Sequence, residues 1–512
     1  MVYCLPDNNK KTDMMTLCVL CAAMTFAPNV EPRPAEFFVS SNVVVSLDRT
    51  QTVKVACKEA PDEAVRWAEA HLDLWFGGRR SWFERLLSSA NVARTAAAPY
   101  AGGPTGPEGY ELVAEPEGVS VRADTLQGVR YALYTLRQLT IAARGGRVVD
   151  HYILPAVRVK DRPAFALRVI HIPWGLNRTP QEIEKRVRVA AYLKYNYAVI
   201  EPWGTFRSGR HPWWGWKEGT MTPDAVRRIV AVGKDLGITL CPQIPAFGHA
   251  SMDITSPGRH AVLDAHPERQ PLFESLNGWN WCLSNPETMT VLTDLAEELI
   301  ELFDRPPFFH VGCDEAAPPN CPLCVASDYR RLVVRHIHAL HDMLAARGAR
   351  MMLWHDMFLE KGDPRWKDFY DNGSKETAAA LADLPRDIVI CDWYYAKARA
   401  DYPTLRMFNE LGFTVLTCPW HALDGTAAQC RFAHANGIDG VMSTTWGDGT
   451  GKERGRYVAN AFAGTACQAW SLDYPPSDRW KWNYDLDFIK SLREVEWDMG
   501  LEAVADTGTY NE

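Results

Sequence analysis

The feature that most constrains the fold of this chain is a regular alternation of short apolar strand patterns with amphipathic helical patterns, which begins near residue 165. Helical periodicity is clear, for example, at 180–193, 224–236, 286–303 and 332–347. The strand patterns occupy 166–172, 197–200, 238–243, 308–312, 350–354, 387–393, 413–418 and 440–445. Eight strands that alternate with helices predict an α/β fold of the (β/α)8 TIM-barrel type, because doubly wound sheets usually contain fewer strands.

A different pattern precedes the barrel and predicts a small α/β domain. Its predicted elements are strands at 37–47 and 52–57, a helix at 62–76, a hairpin that turns at Pro116-Glu117-Gly118, and a helix at 126–143 that stops at Gly145-Gly146. We therefore predict the small domain over 31–155, the catalytic barrel over 160–475 and a C-terminal extension over 476–512.

Charge and hydropathy exclude several classes of protein. The net charge is −8, from 55 basic and 63 acidic residues, and there is no Lys/Arg run, so a nucleic-acid partner is disfavoured. No apolar stretch reaches the length of a membrane span, which predicts no integral membrane segment. Lys10 and Lys11 precede an apolar run at 14–27, which predicts a signal peptide within residues 1–30 and export to the periplasm or outside the cell. The alternative is a tail on a cytoplasmic protein.

The cysteines do not predict a disulfide framework, because the chain has 13 of them, an odd number, scattered along its length. The one tight spacing is Cys321-Pro-Leu-Cys324. It has the form of half a zinc site, but no second pair at zinc-finger spacing accompanies it. We therefore interpret it as a structural loop and predict neither a metal nor a cofactor.

Polar and aromatic residues concentrate at the predicted C-terminal ends of the barrel strands, where such barrels carry their chemistry. They are Glu201, Gln243 with His249, Asp314-Glu315, Trp354 with Asp356, Asp392-Trp393, Trp420, and Trp446 with Asp448. Tryptophan offers a flat apolar face and one donor, and the chain contains 19 of them. The pattern predicts an active site at the barrel mouth and permits a carbohydrate substrate.

The pair Asp314-Glu315, at the end of the fourth strand, is the strongest single motif. Two loop acids have an ordinary interpretation, in which one caps the next helix. At a barrel mouth ringed by tryptophans they instead indicate a glycosidase, which needs a protonated carboxyl group to donate to the leaving oxygen. A double-displacement enzyme also needs a carboxylate across the sugar, and neighbours in sequence cannot easily straddle a ring. The nucleophile therefore lies on another strand, or the substrate supplies it.

Three segments resemble motifs of the glycoside hydrolase family 20 β-N-acetylhexosaminidases. His310-Val-Gly-Cys-Asp314-Glu315 matches the family's His-x-Gly-Gly/Cys-Asp-Glu signature, the stretch from Pro242 to His249 is similar to its Pro-Glu-Ile segment, and Trp446-Gly-Asp448 resembles its Trp-x-Glu. Residues 109–139 are similar to the small domain that often precedes these barrels.

The resemblance implies a role for each matching residue. Glu315 would be the general acid and base, and Asp314 would hold the acetamido N–H of the substrate and stabilise an oxazolinium ion. The acetamido oxygen of the substrate would be the nucleophile, a recognised exception to the two-carboxylate scheme. His249 would support Glu315. The further substrate contacts would be Trp354, Asp356, Trp393, Trp420, Trp446 and Asp448.

Two departures bear on the sugar that is bound. No arginine falls in the family's ring-gripping position within 170–178, and the second strand continues as Glu201-Pro-Trp-Gly-Thr-Phe206 in place of His-x-x-Asp-Asp. This form looks more like the hexosaminidase D branch, and by it we assign Glu201 as the acidic partner of His249. The loop from His211 to Trp216 either rims the site or packs as an aromatic cluster.

The resemblance predicts an enzyme that removes terminal β-linked N-acetylhexosamine with retention and without a cofactor. Neither the preference between GlcNAc and GalNAc nor the oligomeric state is predicted. Three alternatives stay open: a β-glycosidase with Glu201 or Asp356 as nucleophile, a metal-dependent hydrolase built on His171, His249 and Asp314, and a non-catalytic glycan-binding barrel.

Overall fold

The structure, a computed structural model, divides into two compact units between Arg162 and Pro163. The predicted signal peptide, the predicted C-terminal extension, Trp216 and Asp448 lie outside the described residues, so these predictions stay predictions. The described residues are 36–47, 51–76, 94–103, 105–145, 148–175, 178–215, 220–251, 262–274, 278–446 and 452–472.

The first unit is a seven-stranded sheet with two described helices. The spatial order of its strands is β1-β7-β4-β5-β2-β3, with β6 paired to β7. The strands are β1 Glu36–Leu47, β2 Thr52–Cys57, β3 Arg94–Ala97, β4 Tyr110–Glu115, β5 Gly118–Ala123, β6 Ile141–Gly145 and β7 Val148–Asp161, and the helices are α1 Pro61–Phe76 and α2 Leu126–Leu139. The predicted hairpin is confirmed, because β4 and β5 pair antiparallel around the turn at Pro116.

The predicted end of the second helix is wrong. The helix stops at Leu139, because Thr140 adopts an extended backbone, with φ −86° and ψ 143°. The next residues, Ile141–Gly145, form β6 and pair antiparallel with β7. The helical pattern continued to residue 143, but sheet pairing with a strand later in the chain decided the conformation of this segment. The boundary between the units falls just after Asp161, where β7 ends.

The second unit confirms the predicted (β/α)8 barrel. All eight strands are parallel to their neighbours, in the order β10-β9-β8-β15-β14-β13-β12-β11. A parallel bridge between Gln243 and His310 joins the two ends and closes the barrel. The strands are β8 Leu167–Trp174, β9 Tyr197–Pro202, β10 Thr239–Pro242, β11 Phe308–His310, β12 Arg350–Trp354, β13 Val389–Trp393, β14 Thr414–Cys418 and β15 Gly440–Ser443.

Helices connect the barrel strands and begin at recognisable caps. Thr179 forms a capping box with Glu182, and Thr222 and Asn285 each cap a helix whose first residue is proline. The helices are α3 Pro180–Tyr192, α4 Pro223–Leu236, α5 Val262–Ala265, α6 Pro286–Leu302, α7 Pro322–Val325, α8 Tyr329–Ala345, α9 Lys375–Ala380, α10 Pro403–Glu410, α11 Leu423–Ala435 and α12 Lys452–Trp470. Within the described ranges, no helix has both the length and the apolar character of a membrane span.

The centre of the barrel is a packed core to which every strand contributes. Along β13, Val389, Cys391 and Trp393 belong to this core. Asp392, which alternates with them, points to the other side of the strand and hydrogen-bonds Thr404 on α10. Trp354 and Trp393 form the top of the core, with the partly buried Trp446 packed against them. The barrel therefore presents its aromatic residues at the C-terminal ends of the strands.

Candidate active site

Asp314 and Glu315 lie on a tight turn directly after β11. The backbone φ angles of Gly312, Cys313 and Glu315 are 64°, 75° and 50°. These values lie in the left-handed region, which residues other than glycine rarely adopt. Strained backbone of this kind persists only where the surroundings hold it. Neighbouring side chains in a strand would point apart, but here the Asp314 and Glu315 carboxylates and His249 have ligand atoms within 4.8 Å of one another.

Gly248 and His249 pack directly against this turn. A Cβ atom at Gly248 would lie 2.1 Å from the backbone oxygen of Asp314, so only glycine fits there. His249 has a φ of 56°, and its Nε2 lies 3.3 Å from Asp314 Oδ2 and 3.2 Å from Glu315 Oε2. One ring nitrogen therefore contacts both carboxylates. The structure places His249 against Glu315, and its role in catalysis stays a prediction.

The two carboxylates differ in their access to solvent. The Asp314 side chain is 13% exposed, whereas the Glu315 side chain is 48% exposed. A cavity of about 330 Å³ opens beside Glu315, and Lys361, Asn372 and Thr377 contribute to its wall. Glu315 can thus exchange a proton with a group that enters from solvent, while Asp314 stays shielded behind it.

Trp279 and Asn280 hold the same turn from another side, and the sequence analysis missed both. Trp279 Nε1 donates a hydrogen bond of 2.8 Å to the backbone oxygen of Glu315, and its ring lies 4.1 Å from the ring of His249. Asn280 makes two hydrogen bonds to Ala317. Its Oδ1 accepts from the Ala317 backbone N–H, and its Nδ2 donates to the Ala317 backbone oxygen. No local motif marks these residues, because they lie in a loop between the third and fourth strands.

Asp356 is completely buried next to Glu315, and its predicted contact with the substrate stays a prediction. Its Oδ2 accepts hydrogen bonds of 2.9 Å from the backbone N–H of Glu315 and from Asn372 Nδ2, and its Oδ1 lies 3.3 Å from Trp393 Nε1. Burial raises the pKa of Asp356 to about 7, and the charge of Asp314 adds to the effect. Its oxygens are occupied by the protein, so Asp356 positions Glu315 and Trp393.

A second buried carboxyl group lies behind Asp356. Burial raises the pKa of Asp392 to about 7, and the charge of Asp356 contributes as well. Asp392 Oδ1 is 3.3 Å from His355 Nε2. Burial lowers the pKa of His355 to about 3, which keeps the ring neutral, and its Nδ1 accepts from the backbone N–H of Trp393. The predicted strand-end residue Asp392 therefore supports the active site from outside the barrel core.

Aromatic rings wall the mouth above these carboxyl groups. Trp354 is fully buried at the end of β12 and lies 5.8 Å, ring to ring, from the partly exposed Trp446. Trp393 stacks on Tyr395 at 5.1 Å, and Tyr370 lies 4.0 Å from Trp393. The three predicted tryptophans therefore meet in one wall, of which Trp446 presents the larger accessible face.

Tyr395 and Tyr370 were missed by the sequence analysis. Tyr395 Oη accepts a 2.5 Å hydrogen bond from Trp446 Nε1, and its ring lies 5.6 Å from that of the predicted residue Trp420. Tyr395 joins Trp446 to Trp393 and Trp420, and burial raises its pKa well above the usual range. A local signal existed for Tyr395, since it follows Trp393 by two residues and so lies just past the end of β13. None existed for Tyr370.

The predicted pairing of Glu201 with His249 is corrected by the structure. Glu201 Oε2 lies 3.0 Å from His171 Nε2, and both side chains are buried. The reason is register: β8 and β9 are adjacent, with Pro173 opposite Glu201, so His171 is the diagonal neighbour on the same face. His249 lies in the loop beyond β10 and contacts the carboxylates of the next strand instead.

This side of the mouth also holds buried polar atoms that have no hydrogen-bond partner among the described residues. They are His171 Nδ1 and Gln243 Oε1, and His310 Nε2 and Trp354 Nε1 on the fourth and fifth strands also have none. Burial lowers the pKa of His310 to about 3, and the neighbouring His171 lowers it further, so the ring is neutral at neutral pH. Arg178, the arginine nearest the end of β8, lies 3.7 Å from Glu182 on α3. The family's ring-gripping arginine has no counterpart in the described part of this region.

The loop that begins at His211 packs as an aromatic cluster, which was one of its two interpretations. Trp213 and Trp214 are buried, and Trp214 stacks on Trp281 at 5.4 Å. Trp281 in turn donates to the backbone oxygen of Pro245. The described part of this loop therefore supports the segment that carries His249.

The sequence profiles of known families agree with this site. The catalytic-domain profile of glycosyl hydrolase family 20 matches residues 197–470, more than half of the chain. The chain belongs to glycosyl hydrolase family 20. The profile of domain 2 of that family matches residues 27–162, so this family 20 protein carries the family's preceding domain as well.

Named relatives of this family 20 protein are distant in sequence. It is 24% identical to a β-hexosaminidase of Porphyromonas gingivalis over 55% of this chain and 40% of that protein, and 24% identical to one of Vibrio furnissii over 74% of this chain and 63% of that protein. The alignments thus span less than two thirds of either relative.

Solved structures of the family share the fold at lower sequence identity. The exo β-N-acetylglucosaminidase of Vibrio harveyi, in complex with N-acetylglucosamine, superposes with a TM-score of 0.66 at 16% identity, over 93% of this chain and 78% of that one. The β-N-acetylhexosaminidase of Bacteroides fragilis gives a TM-score of 0.65 at 19% identity, over 92% and 96%.

Two groups of side chains among the described residues of this family 20 protein have the spacing to hold a metal ion. One is His249 with Asp314 and Glu315, the set at the barrel mouth. The other is Cys282 with Cys321 and Cys324, in the loops beside it. His171 belongs to neither group, so the metal-dependent alternative built on His171, His249 and Asp314 is not supported.

Proposed function

We propose that this chain is a retaining, exo-acting β-N-acetylhexosaminidase that works by substrate-assisted catalysis. The observation that carries the proposal is the convergence of Asp314 and Glu315 on His249 Nε2, on one side of a mouth walled by Trp393 and Trp446. Membership of glycosyl hydrolase family 20 and the names of its relatives support the same activity. The substrate would be a glycan or glycoconjugate with N-acetylhexosamine at its non-reducing end.

In the first step, Glu315 donates a proton to the glycosidic oxygen while the bond from that oxygen to the anomeric carbon breaks. The acetamido oxygen of the substrate attacks the same carbon, and an oxazolinium ion forms. Asp314, which is shielded from solvent and held by His249, accepts a hydrogen bond from the acetamido N–H and stabilises the positive charge of the oxazolinium ion. Glu315 then removes a proton from the water that opens the ring. Two inversions at one carbon give retention.

The burial of the other acids weighs against a nucleophile supplied by the protein. Such a carboxylate must reach the anomeric carbon from the face opposite the acid. Asp356 has no exposed surface and accepts three hydrogen bonds from the protein, and Glu201 is 3% exposed and pairs with His171. Neither is placed to attack a sugar, so the substrate's own acetamido group is the nucleophile that fits.

The test compares three aryl β-glycosides: the N-acetylglucosaminide, the N-acetylgalactosaminide and the glucoside. We expect turnover of one or both acetamido sugars and none of the glucoside. NMR of the first-formed product should show the β anomer. Equal turnover of the glucoside would contradict substrate assistance.

The variant Asp314→Asn sharpens this test. We expect its turnover of the acetamido substrate to fall by roughly 10²–10³, because the amide cannot balance the charge of the oxazolinium ion. A stable thiazoline analogue of that ion should inhibit the unaltered protein more strongly than N-acetylhexosamine does. A protein that binds the sugar and the thiazoline equally, without turnover, would support the glycan-binding alternative.

A further inference from the structure

A group of three cysteines lies beside the active site, in loops rather than on the barrel strands. Cys282 Sγ is 3.5 Å from Cys321 Sγ and 3.7 Å from Cys324 Sγ, and all three cysteines are free. Three thiolates bound to one tetrahedral zinc ion at the usual Zn–S length stand about 3.8 Å apart. The separations therefore match a shared metal better than unrelated core thiols.

A buried carboxyl group lies beside one of these cysteines. Glu274 is 6% exposed, and its Oε1 is buried with no hydrogen-bond partner in the described structure. Its side chain adjoins Cys324, while its Oε2 accepts from the backbone N–H of Asn320. Its neighbour Cys324 is only a weak thiol donor, and a cation would be a stronger partner for a buried carboxylate. The sulfur atoms of the three cysteines lie within 4.8 Å of one another. Glu274 does not belong to that group as it stands, and a rotation of its side chain would bring a carboxylate oxygen in as the fourth ligand.

The backbone around the cysteines is arranged as it is around zinc-bound thiolates. Cys321-Pro-Leu-Cys324 has the two-residue spacing of half a zinc site, and the backbone N–H of Cys324 donates to Cys321 Sγ at 3.3 Å. Such N–H groups stabilise the negative charge of a bound sulfur. Glu274 and Cys282 lie on two segments joined by backbone hydrogen bonds, from Glu274 N to Asn280 O and from Cys282 N to Leu272 O. The segments that carry Glu274 and Cys282 are therefore held at a fixed separation from each other.

We propose that Cys282, Cys321, Cys324 and Glu274 bind a structural Zn²⁺ ion. The ion joins the loop that follows Glu315 to the segment that carries Trp279 and Asn280, the two residues that hold the Glu315 turn. The site takes no part in the reaction, since its ligands lie outside the set that faces the substrate. Its role is to fix the loop on which the acid is carried, and it does not depend on the proposed function.

The first experiment measures the zinc content of the full chain, purified without added metal or chelator. We expect about one zinc ion per chain, released when the thiols are titrated with a mercurial. Cys321→Ser should lose most of the metal. Cys430→Ala is the matched control, because Cys430 is a buried cysteine of α11 outside the group, and it should keep its zinc.

A second measurement covers the case in which Cys321→Ser does not fold. Cobalt introduced into the unaltered chain in place of zinc should give the intense visible bands of tetrahedral thiolate coordination. Glu274→Gln should keep the fold but release zinc to a competing chelator roughly 10-fold faster or more. Folded protein without metal, with three titratable thiols or with a disulfide between any two of them, would overturn the proposal.

Discussion

The two sides of the barrel mouth are built differently. On the side of the fourth to sixth strands, the carboxyl groups of Asp314, Glu315 and Asp356 form one connected network with His249, and each oxygen of Asp356 is hydrogen-bonded. On the side of the first three strands, Glu201 is instead held in a buried pair with His171, and His171 Nδ1 and Gln243 Oε1 have no hydrogen-bond partner among the described residues.

This difference separates chemistry from sugar selection. The carboxylate side agrees with the family's catalytic signature residue by residue, whereas the opposite side departs from the family where the ring-gripping arginine is expected. We therefore expect substitutions on the carboxylate side to reduce kcat, and substitutions on the His171 side to change KM and the preference between epimers. The first three predictions below test that division, and the fourth tests the protonation state of the buried Asp392.

The largest effect is expected for Glu315→Gln. Loss of the general acid should lower kcat for a nitrophenyl N-acetylhexosaminide by roughly 10²–10⁴, with binding of N-acetylhexosamine retained in calorimetry. The loss should be smaller for a dinitrophenyl glycoside, since that group leaves without protonation. An equal loss on both substrates would assign Glu315 a different role.

Asp356→Asn should have the next largest effect, on the order of a 10-fold loss of kcat. The amide puts an NH2 donor where Asp356 has an acceptor oxygen, so at least one of the three donors, the Glu315 N–H, Asn372 Nδ2 or Trp393 Nε1, loses its partner. The position of Glu315 should shift as a result. Asp392→Asn is the control, because Asp392 lies one layer further out and contacts His355. It should keep kcat within about 2-fold of the unaltered protein. Equal losses in both variants would argue against a specific hold on Glu315.

Glu201→Gln should act on the other side of the mouth, with kcat nearly unchanged. The His171 ring, which pairs with Glu201, lies 4.5 Å from the Trp446 ring. A weaker interaction between His171 and residue 201 should therefore let the Trp446 ring shift. We expect less than about a 10-fold change in KM and an altered ratio of activity on the two epimers. Steady-state kinetics on both substrates measures this. A collapse of kcat at constant KM would give Glu201 a role in the chemistry.

The smallest effect concerns stability and pH. In the folded chain the pKa of Asp392 is raised to about 7, so the native state keeps a proton that the unfolded chain releases near pH 4. Between these values the contribution of Asp392 to stability falls as pH rises, by at most about 1.4 kcal/mol per pH unit. Asp392→Asn cannot ionise, so its stability relative to the unaltered protein should increase from pH 5 to pH 7 and then level off. Urea unfolding at pH 5, 6, 7 and 8 measures this difference, and a constant difference would contradict the prediction.

Local patterns predicted much of the fold because they report burial along one element. The eight barrel strands were each found within a few residues of their predicted bounds, and the helix predicted at 180–193 runs from Pro180 to Tyr192. Residues 141–143 were misassigned to a helix, because their strand conformation depends on pairing with Val148–Asp161, which no local pattern shows.

For the candidate site, the sequence predicted which motif residues lie together but not all of the contacts between them. The motif residues Asp314, Glu315 and His249 do converge, since each follows a strand end of the same barrel. The partner of Glu201 was assigned wrongly because it depends on cross-strand register, and the burial of Asp356 depends on which loop covers it. Cys282 was missed as a companion of Cys321 because 39 residues separate the two in sequence.

The sequence by itself determined the alternation that makes a barrel and the residue types at its mouth, because periodicity and strand ends are properties of neighbouring positions. Only the tertiary structure decided which of those residues touch one another. The strained backbone directs the Asp314 and Glu315 carboxylates to one side, and Asp356 is buried next to Glu315. Glu201 pairs with His171, and Cys282 lies beside Cys321. These outcomes depend on loop paths and strand register across the whole barrel, which no short stretch of sequence contains.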